Sequence, residues 1–346
     1  MRYRGMLVMA LCLASATSAT AATRTLDVLP SVVWHHARTG LTMPPALGSL
    51  PRNEVGDFGK AEADLFVQYR GTEGTEATVY VFHPGLDSVP LWFDRIRTAI
   101  ATREKFGTAE LVAPTSFPLR PGAPAAGLRA TYALKGSSFR ATAEAVAPVG
   151  DWLVVVRLSS PTMDAGALDT ELTAILAGIG WPTDKMDAPA AEPVKPCTTM
   201  PVFRKAKLIK PDMMQALLGA VMPGTIEDRR SKDKASIPTY CRAQEGPDGK
   251  WAVYKVEGEE KGYVLALGDA GRAIGVQPSI AALVNKSRPA FSLTYMDLTE
   301  WRIYPDVSEQ LPPEQALDIV EKTAPISAAN TLDGKKSITI GNVGGK

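Results

Sequence analysis

Residues 65–69 and 78–82 are short apolar runs rich in β-forming residues, and Gly71 and Gly74 lie between them, a pattern that predicts a β-hairpin. A helical period follows. Val89, Trp92, Phe93, Ile96 and Ile100 recur at helical spacing, Asp87 or Ser88 can cap the start, and Gly107 suits the stop. Residues 111–117 read as a weaker strand, and Pro114 within it predicts an edge position. Leu128, Ala130, Tyr132 and Leu134 alternate with Arg129, Thr131 and Ala133 as a half-buried strand does, and Gly136-Ser137 turns the chain into a run over 139–146. The Val-rich run 152–158 predicts a central strand covered on both faces. Leu168, Leu172, Ile175, Leu176 and Ile179 form a closing helix, ended by Gly180 and Pro182.

Residues 183–196 carry prolines and small polar residues without apolar periodicity, and they read as a linker that contributes nothing to a core. Beyond it, 202–209 reads as a strand and 211–222 as a helix with Met213, Met214, Leu217, Leu218 and Val221 on one face. Gly246-Pro247-Asp248-Gly249 joins strands over 239–245 and 250–257. Strands follow over 263–267, 290–296 and 301–304, and a last helix begins near Pro312 and Pro313. The Gly- and Lys-rich tail from Ser327 is expected to be partly disordered. The predicted fold class is α+β: two domains, 23–182 and 197–346, each a mainly antiparallel sheet packed with helices.

The N-terminal pattern differs. Arg2 and Arg4 precede the apolar stretch 6–16, and Ala19-Thr20-Ala21-Ala22 offers a small-residue cleavage site, which together predict a secretory signal peptide over 1–22. Leu11, just before Cys12, argues against lipidation. The expected location is periplasmic or secreted, without a transmembrane anchor. Removal of the leader takes two arginines and no acidic residue, leaving 36 basic against 37 acidic side chains. That near-neutrality argues against a nucleic-acid partner. Cys197 and Cys241 are the two cysteines beyond the leader, and in an oxidising compartment they are expected to pair.

Candidate chemistry is sparse. His35 and His36 would point to opposite faces of a strand, and no Cys, Asp or Glu stands at familiar ligand spacing, so no metal site and no cofactor are predicted. No Gly-x-Ser-x-Gly elbow exists for a serine nucleophile. Glu257, Glu259 and Glu260 flank Gly258 as solvated turn charges, and the basic residues Arg229, Arg230, Lys232 and Lys234 are interleaved with Glu227, Asp228 and Asp233. A ligand is best placed where the helix start at Ser88 follows the strand through His83-Pro84-Gly85. There the free N–H groups of the first turn would open at the sheet rim, with Arg120 of the loop 118–127 supplying a positive charge.

The order of hairpin, helix, strand meander and closing helix over about 48–182 resembles the α/β/α sandwich of the photosystem II extrinsic PsbP family. That resemblance implies a noncatalytic binding or assembly module. The runs 45–52 and 78–85 with Trp92-Phe93-Asp94 are similar to secreted bacterial proteins, a likeness that implies no activity. The function read from sequence is an exported module that binds an envelope protein or a small ligand. The rival is an envelope hydrolase whose site is assembled from sequence-distant residues. If residues 1–22 are a leader, the intact mass of periplasmic protein should correspond to a chain starting at Ala22 or Thr23; a mass that includes Met1 would contradict it.

Overall fold

The computed structural model describes residues 23–59, 61–184, 188–211, 215–216, 238–284, 289–332 and 338–340. The leader, the basic cluster at 229–234, Met213 and Met214 with most of the helix read over 211–222, and Lys185 in the linker lie outside the described residues.

The first half of the chain runs β1 (Arg24–Thr25), β2 (Trp34–His35), β3 (Thr42–Met43), β4 (Ala46–Leu47), β5 (Leu50–Asp57), β6 (Asp64–Arg70), β7 (Glu76–Phe82), α1 (Val89–Thr102), β8 (Thr108–Phe117), β9 (Gly127–Lys135), β10 (Ala141–Val149), β11 (Trp152–Ser160) and α2 (Ala165–Gly178). The strands β1-β5-β6-β7-β11-β10-β9-β8 form one antiparallel sheet, with β4 added against β5, while β2 and β3 pair with each other. The β6–β7 hairpin, the capped helix and the central β11 follow the sequence pattern. Pro114 also acts as expected: β8 is the edge strand, and its register shifts between Val112 and Thr115.

The second half runs β12 (Lys195–Pro196), β13 (Tyr240–Glu245), β14 (Trp251–Val256), β15 (Tyr263–Leu267), β16 (Arg272–Pro278), a helical turn at Ile280–Val284, β17 (Phe291–Met296), β18 (Glu300–Val307), α3 (Pro313–Lys322), β19 (Ser327–Asn330) and β20 (Ile338–Ile340). These strands form a second sheet in simple chain order.

Two nine-stranded sheets make the protein predominantly β, which corrects the α+β assignment. Sequence patterning undercounted strands. The segment that becomes β16 carries Gly275 and Pro278, which interrupt its apolar rhythm, and the tail expected to be partly disordered contains β19 and β20, with Ser327 and Ala329 buried. One expected strand is absent: residues 202–209 run beside the second sheet with a single bridge, Leu208 to Val307, and leave Val202 70% exposed. The 183–196 segment also differs from expectation, since Ala191 is buried in the core and its N–H donates to the Ala125 carbonyl.

Helices and sheets stack in alternation. α2 covers one face of the first sheet, where Val67, Val79, Val154 and Leu172 meet. α1 lies on the opposite face and also packs against the second sheet, joining Leu128, Val146 and Val155 to Tyr254, Val264 and Ala273 in one cluster. α3 closes the far face of the second sheet with Ala316 and Ile319 against Leu265 and Ile274. Because α1 is covered from both sides, its polar residues are buried too and need partners. Arg95, 1% exposed, donates Nε to the Gly268 carbonyl at 2.9 Å and Nη2 to that of Gly249. The Tyr254 hydroxyl donates to Asp94 Oδ2 at 2.7 Å, and Arg242 stands 3.4 Å from the same oxygen. Close backbone approach fixes a further point: Gly85 N–H donates to the Gly271 carbonyl at 2.8 Å, and a Cβ at Gly85 would come within 2.8 Å of the Met296 backbone.

Cys197 and Cys241 form a disulfide, Cα to Cα 4.8 Å, beside the parallel pairing of β12 with β13. Closing a loop of this length in the unfolded chain contributes about 4 kcal/mol in the chain-entropy model.

Under α1, the fully buried Glu144 accepts from the Tyr132 hydroxyl at 2.6 Å, while its other oxygen has no partner among the described residues. Burial pushes this carboxyl up to about 8, against the Tyr132 hydrogen bond and the charges of Arg157 and Arg97, with Asp94 adding to the rise. The folded protein therefore holds a proton that the unfolded chain, with an ordinary value of 4.5, releases. Stability should fall as pH climbs from that ordinary value towards about 8, by an amount on the order of a few kcal/mol. Chemical denaturation of Glu144→Gln across the same range should lack this slope and exceed wild type at pH 9; identical pH profiles would refute the assignment.

Candidate functional site

α1 crosses the first sheet over β8, β9 and β10 and leaves the same face of β6 and β7 without a helix. Register decides what stands there. Val67, Val79 and Val81 face α2, so their neighbours Phe66, Tyr80 and Phe82 face the other way, as do Val155 and Arg157 of β11. The β15–β16 turn of the second sheet, carrying Asp269 and Ala270, comes down opposite them. The result is a cleft of about 310 Å³ with Asp64, Tyr80, Phe82, Val155 and Arg157 as its floor, Ile96 of α1 and Arg103 just past its end as one wall, and Phe58 at the lip.

The turn is pinned at both ends, by Arg95 at the Gly268 carbonyl and by Gly85 N–H at the Gly271 carbonyl. Asp269 is thereby held where its Oδ2 takes Arg103 Nη2 at 2.7 Å and Arg157 Nη2 at 2.5 Å. Arg157 also lies over the Tyr80 ring, 5.7 Å from its centre. Lys105 stands nearby, its amine pushed down first by burial and then by Arg157 and Arg103, with Glu76 opposing. This end of the cleft has surplus positive charge.

The other end is acidic. Asp64 is 7% exposed and has Arg272 no closer than 3.9 Å, while Arg272 is held more tightly by Asp297 at 3.0 Å. Burial raises the Asp64 carboxyl to about 6; Arg272 opposes the rise, and Asp57, Asp297 and Asp269 add to it. Phe58, 39% exposed, packs on Phe66 at 4.7 Å between ring centres and gives this end an apolar lip. The cleft thus offers a hydrogen-bonding carboxyl that changes charge near pH 6, an aromatic floor, and two guanidiniums sharing one carboxylate oxygen.

The residues singled out from sequence lie elsewhere. His83 is buried, its Nδ1 donating to the Leu298 carbonyl at 2.8 Å and its Nε2 standing 3.1 Å from Asp151 Oδ2. Ser88 is also buried and caps α1, its hydroxyl accepting from Leu91 N–H at 3.4 Å. Arg120 is exposed on the β8–β9 loop. That loop shares the His83 end of the sheet, but β11 and β10 lie between β7 and β9, a separation of roughly 14 Å. The start of α1 is enclosed by Leu86 and Val89 rather than open at the rim, so the three residues do not converge. Cys197 and Cys241 are joined as expected.

Sequence reasoning placed Tyr80, Phe82, Ile96, Val155 and Arg157 in strands and a helix but assigned no residue of the cleft to a site. Two signals were present: Arg157 is the lone charge in the apolar run 152–158, and Asp64 directly precedes the strand-forming run 65–69. No protein-family model, curated protein or solved structure matches the chain.

Asp269→Ala would leave Arg103 and Arg157 close together without their shared counter-ion. We expect a loss of stability on the order of 1 kcal/mol at low salt that shrinks as ionic strength rises. A salt-independent change in the urea midpoint would contradict this electrostatic role.

Proposed function

We propose that the chain is an exported binding protein that holds a small amphipathic ligand in the cleft between its two sheets, without chemistry of its own. The observation that carries this reading is the convergence of an aromatic floor with charged groups of both signs, drawn from segments far apart in sequence. A volume of about 310 Å³ is at the small end of the range for ligand pockets. The disulfide suits an oxidising compartment, and no helix among the described residues is long and apolar enough to cross a membrane. The PsbP-like element order supports the same class of role, because such modules bind or assemble rather than catalyse.

One observation favours the rival hydrolase. Asp64 and Asp269 both line the cleft, and a carboxyl raised to about 6 can donate a proton near neutrality. Asp269, the second carboxylate such a mechanism would use, already has one oxygen engaged by two guanidiniums, so the binding reading is better supported.

A thermal-shift screen of amino acids, short peptides, organic acids and sugars should find compounds that raise the wild-type midpoint and fail on folded Phe58→Ala and Tyr80→Ala variants. Hits unaffected by both substitutions would place binding outside the cleft. Turnover of a hit, detected by mass spectrometry and lost in Asp64→Asn, would replace the binding reading with the hydrolase.

A further inference from the structure

The two ends of the cleft have opposite polarity, and their separation is set by the strand register. Asp64 is opposite Phe82 on β7, and Phe82 is opposite Leu153 on β11; Arg157 lies four residues further along β11. Four residues of strand span roughly 13 Å and two strand spacings roughly 10 Å. Tyr80 and Val155 occupy the level midway, and Arg157 leans over the Tyr80 ring, which brings its guanidinium back toward Asp64. Both charged ends line one cleft of about 310 Å³, a space that suits a ligand of dipeptide size rather than a longer chain.

We infer that the cleft selects a dipeptide-sized zwitterion, its ammonium on Asp64, its carboxylate on Arg157 and Arg103, and an apolar side chain against Tyr80 and Phe58. This inference rests on the reading that the cleft binds a small ligand. The acidic end favours a cation, because among the described residues Asp57 of β5, Asp297 after β17 and Asp269 of the β15–β16 turn act on Asp64 against Arg272 of β16, with Arg24 3.4 Å from Asp57 on its other side. The basic end favours an anion, because the three cations Arg103, Arg157 and Lys105 stand there against two acidic groups, Asp269 and Glu76. A purely anionic ligand would meet the acidic end unpaired, and a purely cationic one would meet the guanidiniums.

The charge state of Asp64 gives the inference a second signature. An ammonium ligand favours the ionised carboxylate, so its affinity should rise from pH 5 to pH 7 as Asp64 gives up its proton. A ligand recognised by its anion alone should bind more weakly over the same interval.

Calorimetric titration of the full chain with Ala-Phe, N-acetyl-Ala-Phe and Ala-Phe amide tests the assignment. Ala-Phe should bind, each blocked form should bind about tenfold or more weakly, and Ala-Phe affinity should increase between pH 5 and 7. Folded Asp64→Asn should lose the preference for the free amine together with the pH dependence. N-acetyl-Ala-Phe binding as tightly as Ala-Phe would overturn the zwitterion while leaving the cleft a binding site. The same holds if none of the three binds while other screened compounds bind in the cleft. Failure of all three together with an empty screen would remove both readings. The wild-type pH profile decides the matter independently if Asp64→Asn fails to fold.

Discussion

A buried guanidinium in the middle of α1 constrains the whole arrangement. Arg95 is almost entirely withdrawn from water, and such a charge is tolerated only with fixed acceptors around it. The carbonyls it meets belong to Gly268 and Gly249, at hairpin turns of the second sheet. Asp94, the adjacent residue, is satisfied in the same direction by Tyr254 and Arg242. The two sheets are therefore held in one relative position by polar groups that would be stranded if either sheet moved away. Apolar contact around α1 supplies most of the attraction, and these bonds choose the orientation.

That orientation creates the cleft. α1 is too narrow to cover a nine-stranded sheet, so the β6–β7 part of the face is left for the second sheet to approach. What approaches is a single turn, and it brings Asp269 onto two arginines of the first sheet and α1. The electrostatics of the cleft thus follow from where α1 lies and from how Arg95 anchors the turn. Glu144, beneath the same helix, shows the cost of burying polar groups there, with its carboxyl pushed up to about 8.

Local signals in the sequence were sufficient for local structure. The β-rich run around Tyr80, the Ser88 cap, Pro114 at an edge and the Gly-Pro-Asp-Gly turn each specify a strand, helix or turn from neighbouring residues, and each is present. Strands were missed where polar residues, proline or glycine hide the period, as in Leu-Pro-Arg-Asn-Glu-Val-Gly-Asp of β5 and at Gly275 and Pro278 of β16. The cleft was not legible for a different reason. Arg103 and Arg157 find Asp269 more than a hundred residues away, and nothing local to any of the three marks the partnership. His83 and Ser88 stood out by position at a strand end and helix start, yet those positions are enclosed once the second half packs on. The disulfide, decided by compartment and by having two cysteines, was the one non-local contact legible in the sequence, and it spans 44 residues.

The bonds that join the halves are also among the most distant in the chain: Arg95 to Gly268 spans 173 residues, His83 to Leu298 spans 215 and Arg38 to Leu332 spans 294. A chain emerging from its N-terminus has α1 and the first sheet long before it has the turns that satisfy Arg95. Until then one side of α1, with Trp92, Phe93 and a charged guanidinium, has no cover. Such a face is sticky and incomplete, and long-range closure is slow. The cleft, one side of which is the turn carrying Asp269 and Ala270, can therefore exist only once the second half has packed onto α1.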